Sequence, residues 1–237
     1  MVFTMKTGLY DSARYLPFGD SALLVEFGDA ISLEANRRVI CLNDTILRAD
    51  IKGVEELVPT YRSLLVRYDP SKTSYEQLVF RAKDLEKASE TSVNRVKGKK
   101  IIVPVVYGGR YGPDLCHVAH IHKLTEEQVI KLHSGSEYKV YMIGFVAGFP
   151  YLGEVTDEIA TPRLETPRLK VPAGSVGIAE KQTGIYPREA PGGWQIIGRT
   201  PLRLFDLKVK PPALLSPGDT VNFRSISGDE YKALAGT

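Results

Sequence analysis

Cysteine is scarce: Cys41 and Cys116 are the only two in 237 residues, far apart in segments that read as helical. Two unclustered cysteines suit neither a disulfide framework nor a zinc site, and they read as ordinary reduced thiols. No apolar run approaches the roughly 18 residues that span a bilayer. The opening MVFTMKTGLYDSARYLPFGD has no apolar segment followed by a small-residue cleavage site, so no secretory signal is read and a cytoplasmic protein without membrane association is expected. Charge of one sign is lacking too. The 31 basic and 28 acidic residues leave +3, with no dense basic block or interleaved aromatic pattern, which gives nucleic acid binding no support. Several catalytic signatures are missing, among them the phosphate-cradling P-loop, GxSxG, HExxH and any Cys/His metal spacing. His117, His120 and His122 lie together on one short helix without a convincing third ligand, and read as surface or half-buried residues. His133 ends a helix, where the dipole favours an imidazolium.

What is present is a globular composition, 43% hydrophobic and 25% charged, with Asn and Gln sparse beside Lys, Arg and Glu, a bias toward a thermophilic source. Two regions follow different rules. Up to about Glu90, strand-like and helix-like segments alternate. Ser21 to Phe27 reads as a strand. Ser32 caps a helix over residues 33 to 49 with Val39, Leu42 and Ile46 on one face. Strands follow near Glu56 to Val58 and Tyr61 to Tyr68. A second helix starts at a capping box of Ser74 and Gln77 and carries Tyr75, Leu78, Ala82 and Leu85. This predicts a small α+β sandwich with both helices on one face of a sheet. Residues 91 to 100 (TSVNRVKGKK) are polar and basic without apolar periodicity, which places an N-terminal domain over 1–92, a linker over 93–100 and a second domain over 101–237.

The second domain reads as mostly β. Ile101 to Val106 is a strand whose Pro104 argues for an edge or a bulge. Short helices are predicted from Asp114 to His122 and from the capping box at Thr125 to His133. Further strands are predicted at Tyr138 to Phe145, Ser175 to Ala179, Thr183 to Tyr186, Trp194 to Gly198, Leu202 to Leu207 and Thr220 to Ile226. Many short strands punctuated by Gly and Pro predict a closed or nearly closed barrel. Internal repeats and low-complexity segments are not seen.

Residues 141 to 205 hold 9 of the 21 glycines and 7 of the 15 prolines in 65 residues, so the loops here are shaped and stiff. In GFVAGFPYLG, Phe145, Phe149 and Tyr151 form either an apolar wall or contact patch, or a plug in the barrel end. TPRLETPRLK presents Arg163 and Arg168 on stiff Thr-Pro tethers. Such a guanidinium can make paired bonds to a carboxylate or phosphate. Arg163 reads equally as a solvated residue; for Arg168 the functional reading is preferred. Pro172, Ala173, Gly174 and Ser175 leave amides and a hydroxyl accessible for a small anion or carbonyl. From Gln182 to Leu202, the pocket candidates are Gln182, Thr183, Tyr186, Trp194, Arg199 and Thr200. Trp194 either closes a pocket or buries in the core. Arg199 is the arginine most readily read as functional.

The run GFVAGFPYLGEV, followed by TPRLETPRLKVPAGSVGIAEKQTGIYPREAPGGWQIIGRTPLRLFD, resembles the family called allophanate hydrolase subunit 1. LPFGDSALLVEFGD, VPTYRSLLVRYDP and VPVVYGGRYGPDL also match its pattern, so the resemblance covers nearly the whole chain. Ala147 stands where the family usually has proline, and Ala190 where serine is common. The family includes the sporulation kinase inhibitor KipI and the PxpB component of the bacterial 5-oxoprolinase complex. The resemblance implies an α+β N-terminal domain followed by a mostly β, cyclophilin-like barrel. It further implies an ATP-dependent subunit that helps open the lactam of 5-oxo-L-proline to L-glutamate. Arg199, Arg168 and Gln182 are then the candidate catalytic groups. The site would be completed by a larger partner of the allophanate hydrolase subunit 2 (PxpC) type, together with a LamB/YcsF-type (PxpA) subunit. With no nucleotide motif in this chain, ATP would be handled in the complex. The competing implications are a KipI-like inhibitor of a histidine kinase and a subunit of a urea-carboxylate hydrolysing system.

Overall fold

The computed structural model describes residues 8–90 and 98–236. The chain divides into two compact units, Met1–Lys97 and Gly98–Thr237. The linker expected over 93–100 lies, as far as Lys97, outside the described residues, and Lys100 already opens a strand.

The first unit carries a four-stranded antiparallel sheet of β1 (Arg14–Phe18), β2 (Ala22–Glu26), β3 (Val54–Pro59) and β4 (Ser63–Tyr68), in the order β1-β2-β4-β3. Alternation along β2 and β4 sends Leu23, Val25, Leu64 and Val66 to one face, where all four are fully buried. Helices α1 (Leu33–Ala49) and α2 (Tyr75–Glu90) contribute Val39, Leu42, Ile46, Leu78 and Ala82 to the same core. Their starts follow from the sequence. Ser32 Oγ accepts the Ala35 N–H at 3.0 Å. At α2, Ser74 Oγ accepts from the Gln77 N–H at 3.2 Å, and Gln77 Oε1 accepts from the Ser74 N–H at 3.1 Å. Such a cap contributes about 1 kcal/mol. β1 departs from the sequence reading, which begins the sheet at Ser21. Pro17 argues against a strand, but β1 is the edge of the sheet, where a proline is tolerated.

The second unit is built on a closed barrel of seven strands. These are β5 (Lys100–Tyr107), β6 (Glu137–Ile143), β7 (Pro150–Gly153), β9 (Ser175–Ala179), β10 (Gln182–Ile185), β12 (Gln195–Arg199) and β13 (Thr220–Ser225). Their order is β10-β7-β6-β13-β5-β12-β9, closed by the β9/β10 pair. All pairs are antiparallel except β5 with β13. β8 (Arg168–Val171) and β11 (Ala190–Gly192) form a separate two-stranded sheet. Helices α3 (Leu115–His122), α4 (Glu126–Ser134) and α5 (Gly228–Ala235) complete the unit. Val103, Val105, Val140, Leu152, Val176, Ile178, Ile185 and Val221 fill the barrel and are fully buried. Each contributes roughly 1.5–3 kcal/mol.

Two expectations need correction here. Pro104 lies in a strand of a closed barrel rather than in an edge strand, although one flank of β5 is unpaired beside it. It is tolerated because β12 pairs with β5 only at Val106 and Tyr107, leaving the flank beside Pro104 unlinked to β12. Leu202 to Leu207 is not a strand: only Phe205 makes a bridge, to Ala213. Asp206 breaks the run by accepting the Lys208 N–H on its own side chain at 2.9 Å, a local turn that competes with a ladder.

Candidate functional site on the outer face of the barrel

Directly opposed residues of an antiparallel pair share a face, so the register of β12, β9, β10 and β7 sorts the predicted site residues into rows. Ser175 opposes Arg199, and its carbonyl accepts the Tyr186 N–H at 2.9 Å. That makes a first outward row of Arg199, Ser175 and Tyr186. The second row is Ile196, Gly177, Gly184 and Tyr151. A third brings Gln182 opposite Ala179 and Gly153.

The second row is paved with glycine for a physical reason. A Cβ on Gly184 would lie 2.9 Å from the Trp194 ring and 3.0 Å from that of Phe149, and one on Gly177 would lie 3.1 Å from Trp194 Cβ. The two rings therefore lie directly on the strands. Phe149 meets Tyr151, Tyr186 and Trp194 at centroid distances of 4.9, 5.1 and 5.4 Å. Val171 of β8 and Ala190 of β11 close over them. Phe149, Tyr186 and Trp194 thus form a satellite core between barrel and hairpin. Phe145 is 59% exposed and meets Phe149 edge-on. Tyr151 is half-buried at the margin.

Polar groups rim this core. Arg168, half-buried on β8, donates from Nη2 to Asp114 Oδ1 at 2.6 Å. The other Asp114 oxygen accepts the Ile196 N–H, also at 2.6 Å. Arg163 is exposed, with its guanidinium 6.0 Å from the Trp194 ring centre. Burial pushes the Tyr186 hydroxyl up to about 12, against the pull of a backbone hydrogen bond from Trp194 and of the nearby charges of Arg163 and Arg168. Burial also raises Tyr151, opposed by Arg163. Both phenols therefore stay protonated at neutral pH. Arg199 sits over the Tyr111 ring at 5.8 Å.

Four buried donor atoms along this face lack a partner among the described residues: Arg168 Nη1, Ser175 Oγ, Gln182 Nε2 and Arg199 Nε. Unpaired donors in a buried setting favour a ligand rich in acceptors, such as a carboxylate or a phosphoryl group.

The tip at 172–175 differs from the open amide cradle expected. Pro172 and Ala173 are exposed. The Gly174 N–H donates to the Tyr186 carbonyl at 2.7 Å, and the Ser175 N–H to that of Pro172 at 3.3 Å. Gly174 is required as glycine: its φ is +79°, and a Cβ there would stand only 2.3 Å from the Thr200 carbonyl oxygen. Thr200 is buried; its N–H donates to the Gly174 carbonyl at 2.9 Å, and its hydroxyl accepts the Leu202 N–H.

Thr183 stands apart from the rim. One residue from Gln182, it points into the barrel and bonds His133 Nε2 at 2.9 Å and the Gly177 carbonyl at 2.9 Å. Because the threonine hydroxyl donates to that carbonyl, it accepts from His133 Nε2–H. Nδ1 is then the acceptor for the Tyr107 hydroxyl at 2.8 Å. The expected imidazolium at a helix end is corrected: His133 is fully buried, and desolvation lowers it from 6.5 to about 3, so it is neutral. The ring stacks on Phe223 at 4.5 Å. Of the other histidines, His122 bonds Thr161 Oγ1 at 3.1 Å, while His117 and His120 are exposed. Among the described residues no cluster of three His, Cys, Asp or Glu is placed to hold a metal.

Sequence reasoning missed Asp114, Tyr111 and Tyr107. Asp114 stands at the N-cap position of α3 and would be read as a cap, yet it makes no capping bond.

The chain is an α+β unit followed by a closed barrel whose outer strands carry arginine and unpartnered donors, an arrangement suited to an acceptor-bearing ligand. More particularly, the chain belongs to the family of the carboxyltransferase domain, subdomains C and D, whose model matches residues 13–215. It is 42% identical over 224 residues to the B subunit of 5-oxoprolinase from Bacillus subtilis (strain 168), covering 91% of this chain and 93% of the relative. The crystal structure of TTHA0988 superposes with a TM-score of 0.78 at 38% identity, over 87% of this chain and 40% of that one, so this chain spans well under half of the longer protein. The structure of PH0987 from Pyrococcus horikoshii is 50% identical with a TM-score of 0.55, covering 92% of this chain and 100% of that one.

Proposed function

We propose that this chain is the B subunit of an ATP-dependent 5-oxoprolinase that opens the lactam of 5-oxo-L-proline to L-glutamate. The observation that carries the reading is the 42% identity to the Bacillus subtilis protein along 91% of this chain and 93% of that relative. The donor-rich face supports it chemically. A lactam is a stable amide, and phosphorylation of its oxygen makes it an electrophile. The charge that develops on oxygen then needs donors already in position. Arg199 and Ser175, opposed on the first row, carry unpartnered buried donors and are assigned this role, and Gln182, on the third row, is assigned to a separate contact of the reacting complex. Phe145 and Tyr151, at the margin of the satellite core, are read as contacts for substrate or partner. Pro172 and Ala173 at the exposed tip are read in the same way.

The site is read as shared. TTHA0988 carries the counterpart of this chain within a longer polypeptide, which supports a close physical association with further protein. A PxpC-type subunit and a PxpA-type subunit are the partners we assign, and the chain is read as inactive without them. ATP is a co-substrate of the complex, bound outside the residues assigned here. We further read the barrel as cyclophilin-like, the domains as 1–92 and 101–237, and the setting as cytoplasmic. Among the described residues no helix is long and apolar enough to cross a membrane.

The test is reconstitution with the partner subunits, measuring 5-oxoproline-dependent release of ADP and glutamate with and without this chain. Activity is expected only with it, and an unchanged rate on omission refutes the assignment. Arg199→Ala should lower kcat roughly 100- to 1,000-fold, as loss of one positioned donor does elsewhere. Unaltered turnover would return Arg199 to a structural role.

A further inference from the structure

Resting on the oxoprolinase reading, we propose that Arg168 is the anchor for the substrate's carboxylate and that Asp114 is the residue that positions it. Asp114 is 7% exposed and is tied to β12 twice over: its N–H donates to the Ile196 carbonyl at 2.9 Å, and its Oδ2 accepts the Ile196 N–H at 2.6 Å. Its remaining oxygen, Oδ1, takes Arg168 Nη2 at 2.6 Å. A guanidinium is planar and rigid, so fixing one terminal nitrogen fixes the direction of the other. That other nitrogen, Nη1, is buried and has no partner among the described residues.

A buried cationic donor without an acceptor is costly, and the arrangement is stable where a ligand or water oxygen completes it. The surroundings select the ligand. Arg168 pairs across the hairpin with Gly192, whose missing side chain leaves room for the Tyr186 hydroxyl, 2.1 Å from where a Cβ would stand. On the first outward row the unpartnered atoms are donors as well: Ser175 Oγ and Arg199 Nε. A ligand that satisfies them carries acceptors at two places, which a cyclic amide bearing a carboxylate does. Arg168 takes the carboxylate, and Arg199 with Ser175 faces the amide oxygen.

The experiment uses the reconstituted complex and two lactams, 5-oxoproline and 2-pyrrolidinone, the latter lacking the carboxylate and serving as a competitor. Arg168→Gln should raise KM for 5-oxoproline roughly 10- to 100-fold, the effect of losing a charge-assisted hydrogen bond. The Ki of 2-pyrrolidinone should stay within about twofold, because that ligand never used the anchor. Asp114→Asn should raise KM by a smaller factor with kcat little changed. Arg168→Lys, which keeps the charge but loses the fork, should fall between wild type and Arg168→Gln. Trp194 fluorescence checks that each variant is folded. If KM and Ki rise together, or if kcat alone falls, Arg168 is a structural latch and the anchor is refuted; an unchanged KM in a folded Arg168 variant refutes it too. A wild-type complex that does not turn over 5-oxoproline refutes the oxoprolinase reading itself, and the substrate named here falls with it.

Discussion

His133 offers a sharp test of the packing argument, because its ring is fully buried and its charge state decides whether the barrel tolerates acid. Desolvation lowers it from 6.5 to about 3. The unfolded chain therefore binds a proton that the folded chain refuses between those values, and stability must rise with pH across that window. This contribution is complete above pH 6.5 and is lost as pH falls toward 3. At pH 4, about 2.5 pH units below 6.5, the loss is roughly 3 kcal/mol at about 1.36 kcal/mol per unit; at pH 5.5 it is about 1 kcal/mol. The assay is urea denaturation at pH 7, 5.5 and 4. It is followed by Trp194, the single tryptophan, which reports on the second unit. Other groups titrate in this range, so the comparison is with His133→Phe, which keeps the stacking surface against Phe223 and removes the titration. The variant also leaves the Tyr107 hydroxyl without its acceptor, a cost of roughly 1–3 kcal/mol at pH 7. What must change is the slope: the variant should lose about 3 kcal/mol less than wild type between pH 7 and pH 4. Equal slopes would refute the claim that His133 is held neutral in the folded barrel.

Further predictions concern the satellite core and the thiols. Gly184→Ala places a methyl 2.9 Å from the Trp194 ring and 3.0 Å from the Phe149 ring. It should destabilise the second unit by roughly 1–3 kcal/mol and shift Trp194 emission; an unchanged spectrum and melting point would show that the rings do not lie on the glycines. Cys116 is exposed and Cys41 buried, with burial raising the Cys41 thiol. Ellman's reagent should therefore titrate one thiol in the native chain and a second only on unfolding.

The fold was readable wherever an element carries its own periodicity. β2, α1, α2 and α4 each pair an apolar stripe with a neighbour that caps or turns, and the capping boxes at Ser74 and Thr125 form as the spacing predicts. Elements that depend on distant partners were not readable. β7, β8 and β11 are four, four and three residues long. They are held by Gly153 against Gln182 and by Val171 against Ala190, pairings that no local pattern announces. α5 has no buried residue and hence no apolar stripe to read. Leu202 to Leu207 shows the opposite failure, because alternation imitates a strand while Asp206 turns the chain.

For the site, the residue types were legible and their directions were not. Gln182 and Thr183 are adjacent and polar, yet the parity of β10 sends one to the rim and the other to His133, and that parity is set by barrel closure rather than by composition. The glycines teach the same lesson. Their density between residues 141 and 205 suggests stiff loops, and Gly174 serves that purpose, but Gly177 and Gly184 lie within strands. There they clear a surface for Trp194 and Phe149. Asp114 reads as a helix cap, and its use as a brace for Arg168 depends on β12 arriving beside it from 82 residues downstream. The excess of donors over acceptors follows from all three placements at once. Arginine, serine and glutamine are ordinary surface residues in a sequence. Only their placement on the outward parity of the strands, beside the glycine floor and the hairpin that covers it, sets their unpaired N–H and O–H groups apart and supports the acceptor-bearing ligand proposed above.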